Sequence, residues 1–371
     1  MGPSLPVPLL PGPEWCESGG LVVTIGLETI MERTVIAIDI AKKQFQLHWV
    51  EPDDGSIERL KLKRAKLLEW FATRPAALVV MEACGGAHDW ARSLFELGHE
   101  VRLISPRKVR PFVQRNKTDA ADAQAIWTAS QQPGMRFVPV KTEAQQIVLS
   151  LHRLRAQLMK SRIMQTNELR GLLYEFGVVL PEGHAALLKA LPVAMCEAKL
   201  RLHAMLMDSL DEQVRRIQQL QADIDLIEHR LSQQMRELPA CKAIAQIPGI
   251  GLLTATAVVA SMGTPSAFKD GREFAAWVGL VPRQTGTGGR VRQLGISKRG
   301  DVYLRTLLMH GARSVVNRSM TGPTWPWLAA LLQRRPYSVA VAAVANKLAR
   351  TIWAVLARGQ AWRIEAWQVV H

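Results

Sequence analysis

Cysteine is scarce in this chain. Its 371 residues include four, Cys16, Cys84, Cys196 and Cys241, far apart and without a C-x-x-C pair. That argues against a zinc ribbon or a disulfide framework and fits a reducing compartment. No G-x-x-x-x-G-K-[ST] loop occurs, so a P-loop nucleotide site is not expected. No apolar run approaches the roughly 20 residues of a membrane span, and no membrane partner is expected. Residues 1–30 lack Lys and Arg and are broken by prolines. A signal peptide needs a basic start and an unbroken apolar core, so neither condition is met. The expectation is that the working chain begins at Met31 and that 1–30 is an extension of the reading frame or a disordered leader. Acid is also in short supply: 32 Asp and Glu face 47 Lys and Arg, for a net charge of +15. So basic a chain is expected to meet a polyanion, and nucleic acid is the default.

What is present alternates strand and helix from Met31 to about residue 140. "TVIAIDI" (34–40) is short, β-branched and apolar, as a buried strand is. "QFQLHWV" (44–50) reads as its hairpin partner, and "IERLKLK" follows the turn "DDGS" as a third strand. Helix "AKLLEWFA" (65–72), strand "AALVVMEA" (76–83), helix "AHDWARSLFELG" (87–98) and strand "HEVRLIS" (99–105) complete the series before a last helix. An antiparallel start followed by βαβ units is what a ribonuclease H-like (RuvC-like) α/β sheet requires. Residues 141–240 carry apolar residues at three/four spacing over several heptads, which predicts long helices packed as a hairpin or coiled-coil connector. Residues 241–371 read as a third, mostly α unit. Its last 51 residues hold five of the eleven tryptophans, read as core anchors because they fall among apolar helix positions.

The few acids are placed tellingly. Asp39 lies inside the first strand between Ile38 and Ile40, and Glu82 ends the "LVVM" strand. A carboxylate in an apolar strand is costly to bury unless paired or metal-bound. Asp119 and Asp122 in "NKTDAADAQAI" are three apart, on one side of a helix. The strand order makes Asp39 and Glu82 neighbours and packs the helix pair across them. Four carboxylates at one point repel, and Mg²⁺ (or Mn²⁺) suits such hard oxygen ligands. Two such ions about 4 Å apart can activate a nucleophile and stabilise the leaving oxygen in phosphoryl transfer. Arg107, Lys108, Arg110, Arg115 and Lys117 flank the helix pair and are candidates to hold nucleic-acid backbone.

A second block starts at "IPGIG" (247–251), which reads as the glycine turn of a helix-hairpin-helix whose backbone N–H groups, at Gly249 and Gly251, can hold a phosphate. An ordinary helix connection is the alternative. Further on, "TGTGGRVR" offers two hydroxyls, three glycines, Arg290 and Arg292; "SKRG" adds Ser297, Lys298 and Arg299, and Arg305 follows. A hydroxyl-bearing loop flanked by cations is what attack on a backbone phosphate needs.

"AIDIAKKQF", "VVMEACGGAHDWARSL", "RNKTDAADAQAI" and "IPGIGLLTATAVVA…GLVPRQTGTGGRVRQLGISKRGDVYLRTLL" together resemble the IS110 family of insertion-sequence transposases, its IS1111 subgroup above all. The likeness runs from about residue 31 to 320. It implies a RuvC-like domain whose DEDD quartet falls on Asp39, Glu82, Asp119 and Asp122. It also implies a C-terminal transposase domain with a serine nucleophile, a composite active site, and assembly as a dimer or tetramer. The partners it implies are donor and target DNA and a guide (bridge) RNA, in the bacterial cytoplasm beside the nucleoid. The chain departs from the pattern where serine precedes glycine: Thr285 and Thr287 flank Gly286, and Thr287, just before Gly288, is the expected nucleophile, with Ser297 a second candidate. Rival readings are a RuvC-like endonuclease that uses water and a non-catalytic nucleic-acid-binding relative.

Overall fold

The computed structural model describes residues 33–113, 118–287, 290–322, 325–363 and 367. The leader 1–30, Arg115 and Lys117 therefore lie outside the described residues.

The first unit is built on a six-stranded sheet. Its strands are β1 (Val35–Ile40), β2 (Gln44–Val50), β3 (Ile57–Lys63), β4 (Leu78–Glu82), β5 (Glu100–Ile104) and β6 (Phe137–Val138). They lie in the order β3-β2-β1-β4-β5-β6. β1 to β3 are antiparallel, β1-β4 and β4-β5 are parallel, and β6 returns antiparallel along β5. The hairpin start, the two parallel pairings and the β1-β4 adjacency are as the sequence pattern requires. The two-residue β6 is too short to leave such a pattern.

The sheet is covered on both faces because its strands alternate two kinds of apolar residue. Ile36, Ile38, Phe45, Leu47, Trp49, Val79 and Met81 pack with α1 (Leu67–Ala72) and α2 (Ala87–Glu96). α2 buries Ala87, Trp90, Ala91 and Leu94, the i, i+3, i+4, i+7 stripe of an amphipathic helix. On the other face Ala37, Val80 and Ile104 pack with Ala125, Ile126 and Ala129. These last belong to α4 (Asp119–Ser130), which follows the single turn α3 (Pro106–Val109). His99 pins the α1 side: its Nδ1 accepts the Ala77 N–H at 3.1 Å, so Nε2 carries the proton and donates to the Phe71 carbonyl, also at 3.1 Å.

Two long helices leave the sheet, α5 (Glu143–Glu175) and α7 (Ala204–Glu237), with α6 (His184–Lys199) between them. α5 opens with a capping box at Thr142 and Gln145. α5 and α7 pack side by side. α7 buries Met207, Leu210, Ile217, Ile224, Ile227 and Leu231, close to heptad spacing. A dozen large apolar side chains elsewhere on these helices and their loops, among them Ile163, Met164, Val193 and Leu226, stay exposed.

The remainder is helical around a small ribbon. α8 (Pro239–Ala245), α9 (Leu252–Met262), α10 (Gly271–Val278), α11 (Val302–Thr321), α12 (Pro326–Arg334) and α13 (Tyr337–Arg358) share one hydrophobic core. β7 (Pro282–Thr287) and β8 (Arg290–Ile296) form a separate two-stranded sheet. α13 corrects one expectation: it is long and apolar enough to cross a membrane by length and composition, with mean hydropathy 1.5. It is the central core helix of this unit instead, burying eight residues from Ala340 to Val355 against α8, α10, α11 and α12. Trp367 is buried beside it, edge-on to Trp325, Trp327 and Trp362, and donates its indole N–H to Thr351 Oγ1 at 3.1 Å.

The sheet unit and the helical unit touch through polar contacts. Arg136 pairs with Glu273 of α10, while Arg92 ties the sheet unit to the start of α5, donating to the Lys141 carbonyl at 2.8 Å and to Gln146 Oε1. α5 is held to the helical unit by a buried relay. Thr256 Oγ1 donates to the Leu252 carbonyl at 2.8 Å, so it accepts from His152 Nε2–H at 2.9 Å. His152 Nδ1 is then left to accept from the Tyr303 hydroxyl, also at 2.9 Å. The relay needs a neutral ring, and burial, then Arg155, holds the His152 pKa down at about 4.

Candidate active site

Asp39 and Glu82 stand at the carboxyl ends of neighbouring parallel strands. Ile38 pairs with Met81, so the next residues along, Asp39 and Glu82, fall side by side. Each is two residues past a strand position, Ala37 and Val80, that packs toward α4. Alternation therefore aims both carboxylates at the α4 face. They sense a common neighbour: burial raises the Cys84 thiol above its usual range, and Glu82 and then Asp39 raise it further. Both acids are half-buried and each has a polar interaction within the protein.

α4 packs across β1, β2 and β4. Thr118 caps it, accepting the Ala121 N–H at 3.3 Å, and Asp119 and Asp122 occupy its first turn, where the helix dipole favours negative charge. Asp119 is exposed and Asp122 half-buried. The helix is held against β2 and β3 by the edge-on contact of Trp127 with His48 and by Arg59 donating to Gln124 at 3.3 Å.

The expected quartet thus appears as two pairs on one face of one sheet. The pairs are not closed on each other: among the described residues no three His, Cys, Asp or Glu side chains come together closely enough to hold a metal ion. The donor set is all carboxylate oxygen, the chemistry that suits Mg²⁺ or Mn²⁺. Of the flanking cations, Arg107 and Arg110 are exposed, while Lys108 donates to the Arg136 carbonyl at 3.2 Å.

The second block is laid out by four glycines. Gly249, at φ +87°, meets α11 so closely that an added Cβ would stand 2.7 Å from the Gly311 carbonyl oxygen. Gly249 is half-buried against α11, whereas Gly251 is exposed with open space around it. Gly279 and Gly300, at φ +85° and +93°, lock the end of α10 to the "SKRG" turn: their added Cβ atoms would lie 1.9 Å from Arg299 O and 1.8 Å from Trp277 O. Lys298 N–H donates to Gly279 O at 3.1 Å and Ser297 N–H to Val281 O at 2.8 Å. Lys298 itself takes φ 54°, a left-handed conformation uncommon for a side-chain-bearing residue.

One expectation changes here, that for Arg305. Ser297 does not cap α11; Asp301 does, accepting the Leu304 N–H at 3.0 Å, and Ser297 Oγ receives the Arg299 N–H at 3.5 Å. Arg305 is buried, and its Nη1 donates to the Val278 carbonyl at 2.8 Å and the Arg299 carbonyl at 3.3 Å. It braces the turn and does not present its charge to a phosphate. Lys298, Arg299, Arg290 and Arg292 are exposed as phosphate contacts need to be.

From this base the β7-β8 ribbon projects. Thr285 pairs with Arg292, so the two side chains share a face, and Thr287 pairs with Arg290. The ribbon's described side chains are exposed from Pro282 to Gly286 and at Arg290, Arg292 and Gln293. Arg283, which the sequence reading passed over, is one of them; its signal was a cation on the strand opposite Arg290 and Arg292.

Comparison with known proteins adds identity to this geometry. Residues 36–177 match the IS110-type DEDD transposase domain, and residues 241–326 match the transposase IS116/IS110/IS902 family. A probable family 20 transposase of Pseudomonas aeruginosa is 46% identical over 336 residues, 90% of this chain and 99% of the relative. The transposase for insertion sequence element IS1111A of Coxiella burnetii is 39% identical, spanning 90% of this chain and 92% of its own length. That for IS1328 of Yersinia enterocolitica is 38% identical over 88% and 97%.

Proposed function

Because the chain belongs to the IS116/IS110/IS902 family of insertion-sequence transposases, we propose that it is a DNA recombinase that cuts and rejoins strands through a protein-bound phosphoester. The observation that carries this reading is the register of Asp39 and Glu82 on adjacent parallel strands, facing the helix that Asp119 and Asp122 begin.

In the proposed reaction these four carboxylates hold Mg²⁺ (or Mn²⁺), which supplies charge neutralisation at the scissile phosphate when bound. The residues of the chain do the rest. Arg290, Arg292, Lys298 and Arg299 hold the DNA backbone. The Thr287 hydroxyl attacks phosphorus: a phosphorus–oxygen bond to the protein forms, and the bond to one deoxyribose oxygen breaks, freeing a DNA hydroxyl. A hydroxyl of the second strand later displaces threonine. One phosphoester replaces another at each step, so no external energy source is required. The two-stranded ribbon, too small to be stable alone, is a natural arm for carrying a hydroxyl to an acidic cluster, of its own or another protomer. The α5-α7 pair serves as a coiled-coil arm for a dimer or tetramer, and α8-turn-α9 as a helix-hairpin-helix on the phosphate backbone through Gly251. A bridge RNA selects donor and target, in the bacterial cytoplasm beside the nucleoid.

The test is strand transfer on a supercoiled donor with Mg²⁺, using Asp39→Asn, Thr285→Ala, Thr287→Ala and Ser297→Ala separately. Thr287→Ala should leave no covalent protein–DNA adduct, whereas Asp39→Asn should lose all cleavage. Intact transfer in all three hydroxyl variants would mean that water is the nucleophile.

A further inference from the structure

The helical unit contains a cavity of about 680 Å³, far along the chain from the carboxylates and from the ribbon. It lies between the start of α10, the face of α13 and the segment after it. Its walls combine Trp327, Trp353, Trp362 and Trp367 with Arg272, Lys347, Arg350, Arg358 and Arg363. That volume is in the range of ligand sites, roughly 300–1,000 Å³.

The charge is one-sided. Five cations line it against a single lining carboxylate, Asp270, which is already engaged, accepting the Glu273 N–H at 2.8 Å as the cap of α10. Among the described residues none of the five cations enters an ion pair. Lys347 is the innermost, half-buried, its Nζ 4.3 Å from the Trp327 ring centre and 5.4 Å from that of Trp367. The four arginines are exposed. The indoles differ in their hydrogen bonds: Trp353 and Trp367 donate within the protein, whereas the enclosed N–H groups of Trp327 and Trp362 have no partner among the described residues. A purely hydrophobic core has no use for a half-buried lysine.

Flat aromatic walls beside guanidinium groups that enter no ion pair among the described residues match a base and its phosphates. Every base has a face to stack, and arginine can hold phosphate by parallel hydrogen bonds. A double helix hides its bases and cannot enter. We infer that this cavity takes an unpaired nucleotide of a single-stranded nucleic acid, its base among the tryptophans and its phosphates on Arg350, Arg358 and Arg363. The tryptophans are thus both core anchors and ligand walls. The site is separate from the carboxylates, so its test does not require cleavage.

The probes are twelve-residue oligo-deoxythymidylate and oligo-uridylate, single and paired, followed by fluorescence anisotropy with the full chain. Trp362→Leu and the pair Arg358→Gln, Arg363→Gln should each weaken single-strand binding about tenfold, the loss of one stacked base or of its phosphate contacts, and change duplex binding less than twofold. Asp39→Asn should leave single-strand binding intact even where it removes cleavage. Because a tryptophan variant can perturb folding, the wild-type chain is also irradiated with 5-iodouracil-bearing oligonucleotide. Crosslinks should map to the peptide carrying Trp362. Tighter binding of the uridine or the thymidine oligomer names the strand as RNA or DNA. Crosslinks that avoid residues 325–367, an equal loss on duplex, or free thymidine monophosphate competing as well as the oligomer would each overturn the inference.

Discussion

The two parts of the candidate active site are built by opposite means. The carboxylates sit on a framework that side chains create: Ala37, Val80 and the α4 alanines interlock, and the acids extend from that packed surface. The ribbon rests on a framework that side chains must vacate, where Gly279 and Gly300 let two backbones touch and the strands beyond are exposed. One part is a packed floor, the other an arm that stands on a crossing of two glycines. In the proposed reaction the chemistry that demands exact ligand placement falls on the floor, and the chemistry that has to travel falls on the arm.

The sharpest way to break this contrast is at the floor. Glu82→Gln keeps the shape and removes one charge; strand cleavage should fall at least about a thousandfold, several kcal/mol of lost transition-state stabilisation, with the circular dichroism spectrum unchanged. Next is the crossing. Gly300→Ala forces a Cβ into the Trp277 carbonyl and a side chain into positive φ. Unfolding in urea should show a loss of at least about 3 kcal/mol, whereas Gly295→Ala, in open space on the exposed ribbon, should cost under about 1 kcal/mol.

The joint between the units is sensitive to acid. His152 has its pKa lowered to about 4 in the folded chain, below its ordinary 6.5. As pH falls below 6.5 the unfolded chain takes up a proton that the native relay refuses, so stability is lost between about 6.5 and 4 and levels off below. The contribution is at most about 3 kcal/mol. His88, half-buried and lowered to about 4 by desolvation and then by Lys141 and Arg92, acts in the same sense. His152→Gln should flatten the pH dependence of the urea midpoint over that window. The smallest effect belongs to the exposed Arg136–Glu273 pair: Arg136→Ala should cost under about 1 kcal/mol, and less in high salt.

The sequence made the floor legible and left the arm half-read. Period-two apolar strands broken by one acid each, at Asp39 and Glu82, announce both a strand and an exception to it. Heptad spacing likewise announced α5 and α7. The ribbon was read as a loop because glycines and exposed polar residues give no periodicity; the Gly279–Gly300 crossing at its base joins residues 21 apart, which no local pattern encodes. Arg305 was misread for a similar reason. A cation in a basic motif looks solvent-facing until the carbonyls of Val278 and Arg299 are seen around it. The cavity beside α13 was hidden inside an apolar helix, its only trace being Lys347 and Arg350 one turn apart.

The backbone-on-backbone crossing has an evolutionary side. The exposed residues from Pro282 to Gly286 belong to no core, so mutation there is nearly free of folding penalty. Selection can retune what the arm carries, generation by generation, while the two glycines that bear it are not open to revision.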